Sequence, residues 1–452
     1  MNSLSIDRAG RLAEAWRKKM RLVVWLLLVA GLPAGLQAAP QAEPGPTEKQ
    51  EAMGGGNGAA ATPLAALLEE ARKNDPKIRA AEEAARGAGY VAPRVSTLPD
   101  PTFTLQHFSV GSPRPFAGFT NSDFAYIGFG ASQELPYPGK RRLRAEVANR
   151  EVGVLEERVE VIRRAEIEKL KDAYYRLAYL QQALGVLEHH DAVVREVIEF
   201  AEARYRAGQG NQQDVLKAQL QRTKILYEIS MNQQAAGEAQ AEVKQILRRP
   251  QESDDIVAEP LVMTPLQQSA ASLLGRVKEG SAEVRERAAM IRKGQAEVDI
   301  AQKEFRPDFG LGYMYQHTSS NFRDYYMATF DVKFPRRKPR EAALAEAKVN
   351  VERARLEEDA QMQEAAAEVQ KQLVALRTSE EQARLYREGL IPQSQASFQT
   401  GMAAYQTGGA DFETLLSSLL DVQNMELAYQ QTVLEHERAL ARIERLTGTS
   451  EP

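Results

Sequence analysis

The sequence predicts an internally duplicated, mostly helical chain of mixed α and β class, with two short strands in each half. Three observations lead there. The run Tyr205, Gly208, Leu216, Leu220, Val243 returns as Tyr405, Gly408, Leu416, Leu420, Ile443 at one offset of about 200 residues. Upstream, Leu67, Leu68, Ile78, Arg79, Pro101, Phe103 and Leu105 recur as Leu273, Leu274, Val284, Arg285, Pro307, Phe309 and Leu311. The stretch 140–206 holds no proline and only Gly153 and Gly185, and 340–406 matches it. Solenoids repeat every ~20–50 residues; a period this long means two copies of a whole substructure. The expected divisions are an export signal over 1–38, a flexible leader over 39–62, a first structural repeat over 63–260 and a second over 261–452.

The N-terminus reads as an export signal. Arg17, Lys18, Lys19 and Arg21 precede an apolar run from Leu22 to Leu32, then small residues with a cut after Ala38. That run is about half of the ~20 residues a membrane-spanning helix needs. Residues 40–62 are rich in Gly, Pro and Ala, as a flexible leader is. No later segment is apolar enough to span a bilayer as a helix, so a membrane-seated form of this chain has to be a β-barrel.

The extended stretches alternate. Phe309, Leu311, Tyr313 and Tyr315 share one face, opposite Gly310, Gly312, Met314 and Gln316. Tyr326, Ala328, Phe330, Val332 and Phe334 oppose Met327, Thr329, Asp331 and Lys333. Weaker counterparts in the first half are Phe103 and Leu105, then Ile127, Phe129 and Ala131. Each is about the ~9–11 residues of a tilted transmembrane strand. Phe309, Leu311, Tyr313, Phe330 and Val332 form the expected lipid-facing set. Four strands cannot close, because outer-membrane barrels start at eight. From the strands alone, a small soluble sheet packed on helices is the better reading.

The helices change that balance. About 65 helical residues reach close to 100 Å at 1.5 Å each. Apolar positions step by four and three through Leu155, Val159, Ile162, through Leu170, Tyr174, Leu177, and through Val194, Ile198, Ala201, Tyr205, which is a coiled-coil seam. After Gly208 and Gly408 shorter helices return over 212–247 and 412–446. The early segments 64–92 and 265–305 complete the short side of each hairpin. Pro392 predicts a bend in the second long helix.

Composition narrows the function. The chain has 452 residues, a net charge of −4, two Trp and no Cys. Disulfides, thiolate metal sites, Cys nucleophiles and a lipobox are excluded, and there is no basic footprint for nucleic acid. No nucleophile–base or metal-ligand constellation appears, so catalytic, metal and cofactor residues are expected to be none. His189 and His190 are adjacent on a helix and point to different faces, unlike an i, i+4 chelating pair. The clusters 140–142 and 336–340 follow strands at equivalent places, where either anionic headgroups or plain solvated turns account for them.

Against this background, the residues Ala203-Arg-Tyr-Arg-Ala-Gly-Gln-Gly-Asn-Gln-Gln-Asp-Val-Leu216, their echo Ala404-Tyr-Gln-Thr-Gly-Gly-Ala-Asp-Phe-Glu-Thr-Leu-Leu416, and Ser132-Gln-Glu-Leu-Pro-Tyr-Pro-Gly-Lys-Arg-Arg142 resemble the TolC family of outer-membrane channels. The resemblance runs from about Pro63 to the C-terminus. It implies a homotrimer whose 12-stranded transmembrane β-barrel, four strands per chain, continues as a 12-helix periplasmic α-barrel. It places Gly208 and Gly408 at hairpin tips that dock on a periplasmic adaptor protein, and Asp214 with Tyr405 at a periplasmic gate. A basic residue belongs two positions after the second tip glycine; this chain has Ala410 there. Asp411 and Glu413 are candidates for an acidic entrance ring, which threefold symmetry would repeat; an acidic helix start favoured by the macrodipole accounts for them equally well.

The implied function is the outer-membrane component of a tripartite efflux system: a passive duct in outer-membrane lipid, working with a periplasmic adaptor and an inner-membrane efflux pump, in a Gram-negative bacterium. The Leu135-Pro-Tyr-Pro-Gly-Lys-Arg141 segment looks most like branches that export heavy-metal cations. The alternatives are drug efflux or type I protein secretion, and a soluble periplasmic coiled-coil adaptor that would need no apolar strand face.

Overall fold

The computed structural model describes residues 61–108, 125–318 and 323–449. The expected export signal and nearly all of the expected leader lie outside them. Thr62, at the leader's end, donates its N–H to Val257 O and forms an isolated parallel bridge with Ala258.

Each half runs through the same order. The first has α1 (Leu64–Asn74), α2 (Pro76–Gly89), α3 (Val91–Ser96), β1 (Thr102–Phe108), β2 (Tyr126–Leu135), α4 (Lys140–Arg206) and α5 (Gln212–Leu247). The second has α6 (Ala270–Gly280), α7 (Ala282–Lys303), β3 (Asp308–Thr318), β4 (Tyr325–Lys333), α8 (Arg337–Leu385), α9 (Ile391–Thr407) and α10 (Phe412–Thr447). The short helices start where sequence chemistry directs. Asp75 caps α2 ahead of Pro76, Ser269 caps α6 and Ser281 caps α7 through side-chain bonds to backbone N–H groups.

The four strands form one antiparallel sheet in the order β1-β2-β3-β4. The central pairing, β2 with β3, joins the two halves, and its register sets Leu135 against Phe309 and Phe129 against Tyr315. Phe309 in turn faces Val332, and Leu311 faces Phe330. Phe103, Leu105, Phe129, Leu311, Tyr313, Tyr326 and Phe330 therefore share one face, and all are exposed. The opposite face carries Gly128, Gly130, Gly310, Gly312, Thr329 and the pair Lys333–Glu134, with Nζ to Oε1 at 2.9 Å. One face is thus apolar and exposed, and the other mixes small and polar residues with Phe108, Tyr126, Met314, Tyr325 and Met327 toward one end; an exposed apolar face is one that water alone does not favour.

Most of the core lies in the helices. A large cluster gathers Leu67, Leu170, Tyr174, Leu177, Val243, Ile256 and Val433. A second joins Leu273, Val277, Val369, Leu373, Leu440 and Ile443. Here α6 meets the end of α10 so closely that a Cβ on Gly280 would stand 2.0 Å from Thr447 O. Only glycine fits that crossing.

Two expectations need correcting. The distal seam of α4 runs Leu187, His190, Val194, Val197, Ala201, all buried at 3-4-3-4 spacing, whereas Tyr205 is 48 % exposed. A heptad search that counts only apolar residues passes over the histidine. The basic run at 140–142 is also not a free surface: Lys140 is 1 % exposed. Its Nζ donates to Arg306 O at 2.9 Å and to Asp308 Oδ2 at 3.0 Å, and lies 3.2 Å from Glu304 Oε2. Arg141 donates to Ser96 O, and Asp308 also accepts the Tyr137 N–H at 2.8 Å. Lys140 pins the exit from β2 to the entry into β3.

The bend expected at Pro392 has a defined form. Tyr386–Leu390 is a π-helical turn in which Ile391 N–H reaches back to Tyr386 O. Proline offers no N–H and its ring collides with the carbonyl four residues earlier, so the wider turn resolves both problems just before it.

Replacing Lys140 by Ala strands the half-buried Asp308 and Glu304 carboxylates. Removing one partner of a buried pair costs about 3–5 kcal/mol, and these acids keep some solvent, so a loss of about 2–3 kcal/mol is expected. Thermal melting of the detergent-extracted protein should show it, while Arg142→Ala, an exposed neighbour, should leave the midpoint unchanged.

Candidate functional site

The two long hairpins reverse in the same way. At the first tip Gly208 N–H bonds Tyr205 O and Gln209 N–H bonds Arg204 O; at the second Gly408 N–H bonds Tyr405 O and Gly409 N–H bonds Ala404 O. Gly208 and Gly408 have φ of 72° and 80°. Both are Schellman ends, in which the left-handed residue is almost always glycine. The Gly pair expected at the tips is therefore at the tips.

The structure brings the expected gate residues together. Tyr405 Oη donates to Asp214 Oδ2 at 3.3 Å, from the end of α9 to the first turn of α5. Tyr405 is 3 % exposed, packed edge-on to Phe412 with ring centroids 5.6 Å apart. It sits in a small apolar cluster with Val197, Ala201, Val215, Ala218 and Leu415, which draws on all four tip helices. Burial, then the Asp214 charge, pushes the Tyr405 phenol up, so it stays a neutral donor to the carboxylate. Its repeat-mate Tyr205 faces outward. Duplication gave two tyrosines; packing uses one.

A cation reaches Tyr405 from the first hairpin. Arg204 holds its guanidinium carbon 4.6 Å above the Tyr405 ring and donates to Gln209 O at 3.0 Å. Its Nε and Nη1 are buried without a hydrogen-bond acceptor, and a ring face is what such donors can use instead. Nothing in the linear spacing marks Arg204, because the contact crosses from one hairpin to the other.

The acids at the second tip are engaged. Asp411 caps α10, accepting Thr414 N–H at 2.8 Å, and that bonding holds its carboxyl below the ordinary range. Glu413 is ion-paired with Lys217 of the first hairpin, which raises the lysine.

Further along, the contacts stay polar. Gln423 Nε2 donates to Glu228 Oε2 at 2.7 Å. His190 Nε2 lies 2.9 Å from Glu426 Oε2, whose other oxygen accepts Gln395 Nε2 at 3.0 Å. His189 is exposed while His190 is buried, so the two histidines do face different ways. No group of three or more His, Cys, Asp or Glu suited to a metal occurs among the described residues.

A four-stranded sheet with an outward apolar face, continued by two long unequal hairpins, is the fold of TolC-like channel subunits. The outer membrane efflux protein family model matches residues 67–247 and 273–449, and the chain belongs to that family. Solved structures agree on the fold. The outer-membrane channel OprN superposes with a TM-score of 0.72 at 18 % identity, covering 85 % of this chain and 89 % of its own. CusC, solved in a study of folding and transmembrane channel formation, gives 0.73 at 14 %, covering 86 % and 92 %. The open state of the Neisseria gonorrhoeae MtrE channel gives 0.70 at 16 %, covering 85 % and 88 %. No significant match was found among curated proteins.

The His190–Glu426 contact carries a pH signature. His190, then Gln395, holds the Glu426 carboxyl below the ordinary glutamate value of 4.5, against the upward push of burial. A lowered folded pKa contributes stability that is present above 4.5 and is lost as pH falls through the folded value. Melting curves taken on either side of 4.5 should show this acid-side loss in the native protein and a smaller one in Glu426→Gln.

Proposed function

We propose that this chain is the outer-membrane channel of a tripartite efflux system, a homotrimer that acts as a passive duct and docks with a periplasmic adaptor and an inner-membrane pump. The observation that carries this is the sheet. Its apolar face is exposed, and β1 and β4 are edges without a strand partner among the described residues. Unpaired edges cannot stand in hydrocarbon. Three copies, with β4 of one beside β1 of the next, give a closed 12-stranded barrel in the lipid of a Gram-negative outer membrane. The paired hairpins then give a 12-helix tunnel in the periplasm, and its tips at Gly208 and Gly408 meet the adaptor. No step of chemistry is assigned to the chain.

The cargo is the finer part of the reading. The segment Leu135-Pro-Tyr-Pro-Gly-Lys-Arg141 is what favours heavy-metal cations over drugs or secreted proteins, and the pump makes the selection. That segment lies at the sheet-to-helix junction, where Lys140 is locked to Arg306 O, Asp308 and Glu304.

Detergent-extracted protein should run as a trimer with heat-modifiable mobility; a water-soluble monomer from the periplasm would defeat the proposal and favour an adaptor. Phe330→Arg places a charge toward lipid at a cost of about 2–4 kcal/mol per copy at the midplane and should cut outer-membrane assembly sharply. Thr329→Arg, on the inner face, should assemble far better. Equal damage from both would mean that there is no lipid-facing side.

At the tip, the proposed gate is Asp214 with Tyr405, supported by Arg204 and by Lys217–Glu413, with Asp411 and Glu413 as its acidic rim. A neutral hydrogen bond contributes about 0.5–1.5 kcal/mol and one to a charged group about 1.5–3, and a trimer repeats each. Asp214→Ala with Tyr405→Phe should raise single-channel conductance in planar bilayers. Unchanged low conductance would place the tether elsewhere.

A further inference from the structure

The two basic clusters that follow strands differ in what they touch. At 140–144 three of the four cations are engaged internally, Lys140 by Asp308 and Glu304, Arg141 by Ser96 O, and Arg144 by Glu304 at 2.9 Å, and Arg142 is exposed. At 336–338 they are not. Arg336, Arg337 and Lys338 are exposed. Neither Arg336 nor Lys338 has an acidic partner among the described residues, and Arg337 reaches only Glu341, at 3.9 Å. Helix stability gives no reason for them, since α8 has no acidic residue in its first turn and the macrodipole disfavours cations there.

Their position follows from the strand. Phe330, Val332 and Phe334 alternate onto the apolar face, and Phe334 is 79 % exposed. Arg336 is itself extended, with φ −73° and ψ 130°, so alternation carries it to the same side, just past the last apolar side chain. At ~3.3 Å per residue Arg336 stands about 7 Å beyond Phe334. The headgroup layer on each side of a ~30 Å hydrocarbon core is about 5–8 Å thick. The entry into β3 adds a matching feature, with Tyr137 of the first half against it. Tyr137 stacks on Phe309 at 6.4 Å, and Lys303 Nζ lies 5.3 Å from the Tyr137 ring centroid, with no acidic partner among the described residues. Nearby acids are mostly spoken for. Glu134 pairs with Lys333, Glu304 and Asp308 with Lys140, and Glu341 with Arg337; Asp331 is exposed on the opposite face of the sheet, and Asp100 is exposed beside β1.

We propose that Lys303, Arg336, Arg337 and Lys338 form a collar that binds the phosphodiester headgroups of anionic phospholipid in the leaflet facing the helices. It rests on the channel reading, which sets which side of the sheet meets lipid. Aromatic rings at the edge of the apolar band with cations just beyond them are the arrangement of an interfacial anchor, and each basic residue near an anionic surface adds to the attraction until salt screens it.

The test uses the full-length trimer. Native mass spectrometry from micelles doped with equal phosphatidylglycerol and phosphatidylethanolamine reads which lipid stays bound. Wild type should retain phosphatidylglycerol preferentially, less so at high salt, and inorganic phosphate should not compete at matched ionic strength. Lys303→Gln/Arg336→Gln/Lys338→Gln should lower that preference about tenfold or more, Arg336→Gln alone by a smaller factor. Arg336→Lys with Lys338→Arg, which keeps charge, should retain it, as should Arg384→Gln/Arg387→Gln on the exposed part of α8 and its π turn. A wild type without preference, or a triple variant with the wild-type preference, overturns the collar. If the triple variant does not assemble, the single variant and the salt series decide. Failure of wild type to form trimers or to enter phosphatidylethanolamine–phosphatidylcholine vesicles would sink the channel reading instead.

Discussion

A β-strand inside hydrocarbon must give every backbone N–H and C=O a partner, and four strands in a row leave two edges that do not. Most of the architecture answers to that constraint. The chain's two halves each contribute one hairpin, and the β2–β3 pairing joins them, so the two open edges belong to different repeats. β1 and β4 are not copies of one another within a chain, and a contact between them on neighbouring copies is head-to-tail. Such contacts close into rings when the rotation allows. The exposed apolar face, with Phe103, Phe129 and Phe330 on it and Gly310, Gly312 and Thr329 on the other side, would be unfavourable for a sheet standing alone in water.

The sheet then has to hand over to helices without losing register. Lys140 is the device at the first junction. Its ammonium satisfies a backbone carbonyl and two carboxylates from the segment that enters β3, which ties α4, α7 and β3 at one point. By the offset of about 200 residues the equivalent of Lys140 is Arg340, a half-buried cation 3.8 Å from Oε2 of the same Glu304, while Arg336, Arg337 and Lys338 face solvent. Both repeats bring a cation to Glu304 at the junction, and the second adds a run of exposed cations beside it.

Much of this was legible from residues alone, because duplication, strand alternation and helix-stopping glycines are local signals. The hairpin bounds, the Gly208 and Gly408 turns and the apolar face of Phe309, Leu311, Tyr313, Phe330 and Val332 came from such signals and agree with the structure. What cannot be read is how two diverged copies divide their labour. Spacing treats Tyr205 and Tyr405 alike, yet one is outside and the other is the centre of the tip cluster. His190 falls out of an apolar seam count because imidazole is polar, although its partner Glu426 makes it fit. Arg204 meets the Tyr405 ring only through a contact between hairpins, which no linear pattern encodes.

The same tip shows how the hairpins can be held specifically without being held strongly. Away from the tip the helices bury two extended apolar clusters, one around Leu170 and Leu177 that reaches Val433 of the second half and one around Val369 and Leu373 within the second half. Beyond Val194 the seam between α4–α5 and α9–α10 narrows to a few apolar residues flanked by Tyr405–Asp214, Glu413–Lys217, Gln423–Glu228 and His190–Glu426. Polar pairs in a coiled coil fix register while contributing little net stability, since each exchanges for water when broken. Apolar burial, at roughly 25 cal/mol per Å², does not exchange so cheaply. Contacts between the hairpins near the tip therefore cost less to break than those in the two large clusters, and the π turn at Tyr386–Leu390 lies on the arm where that difference begins.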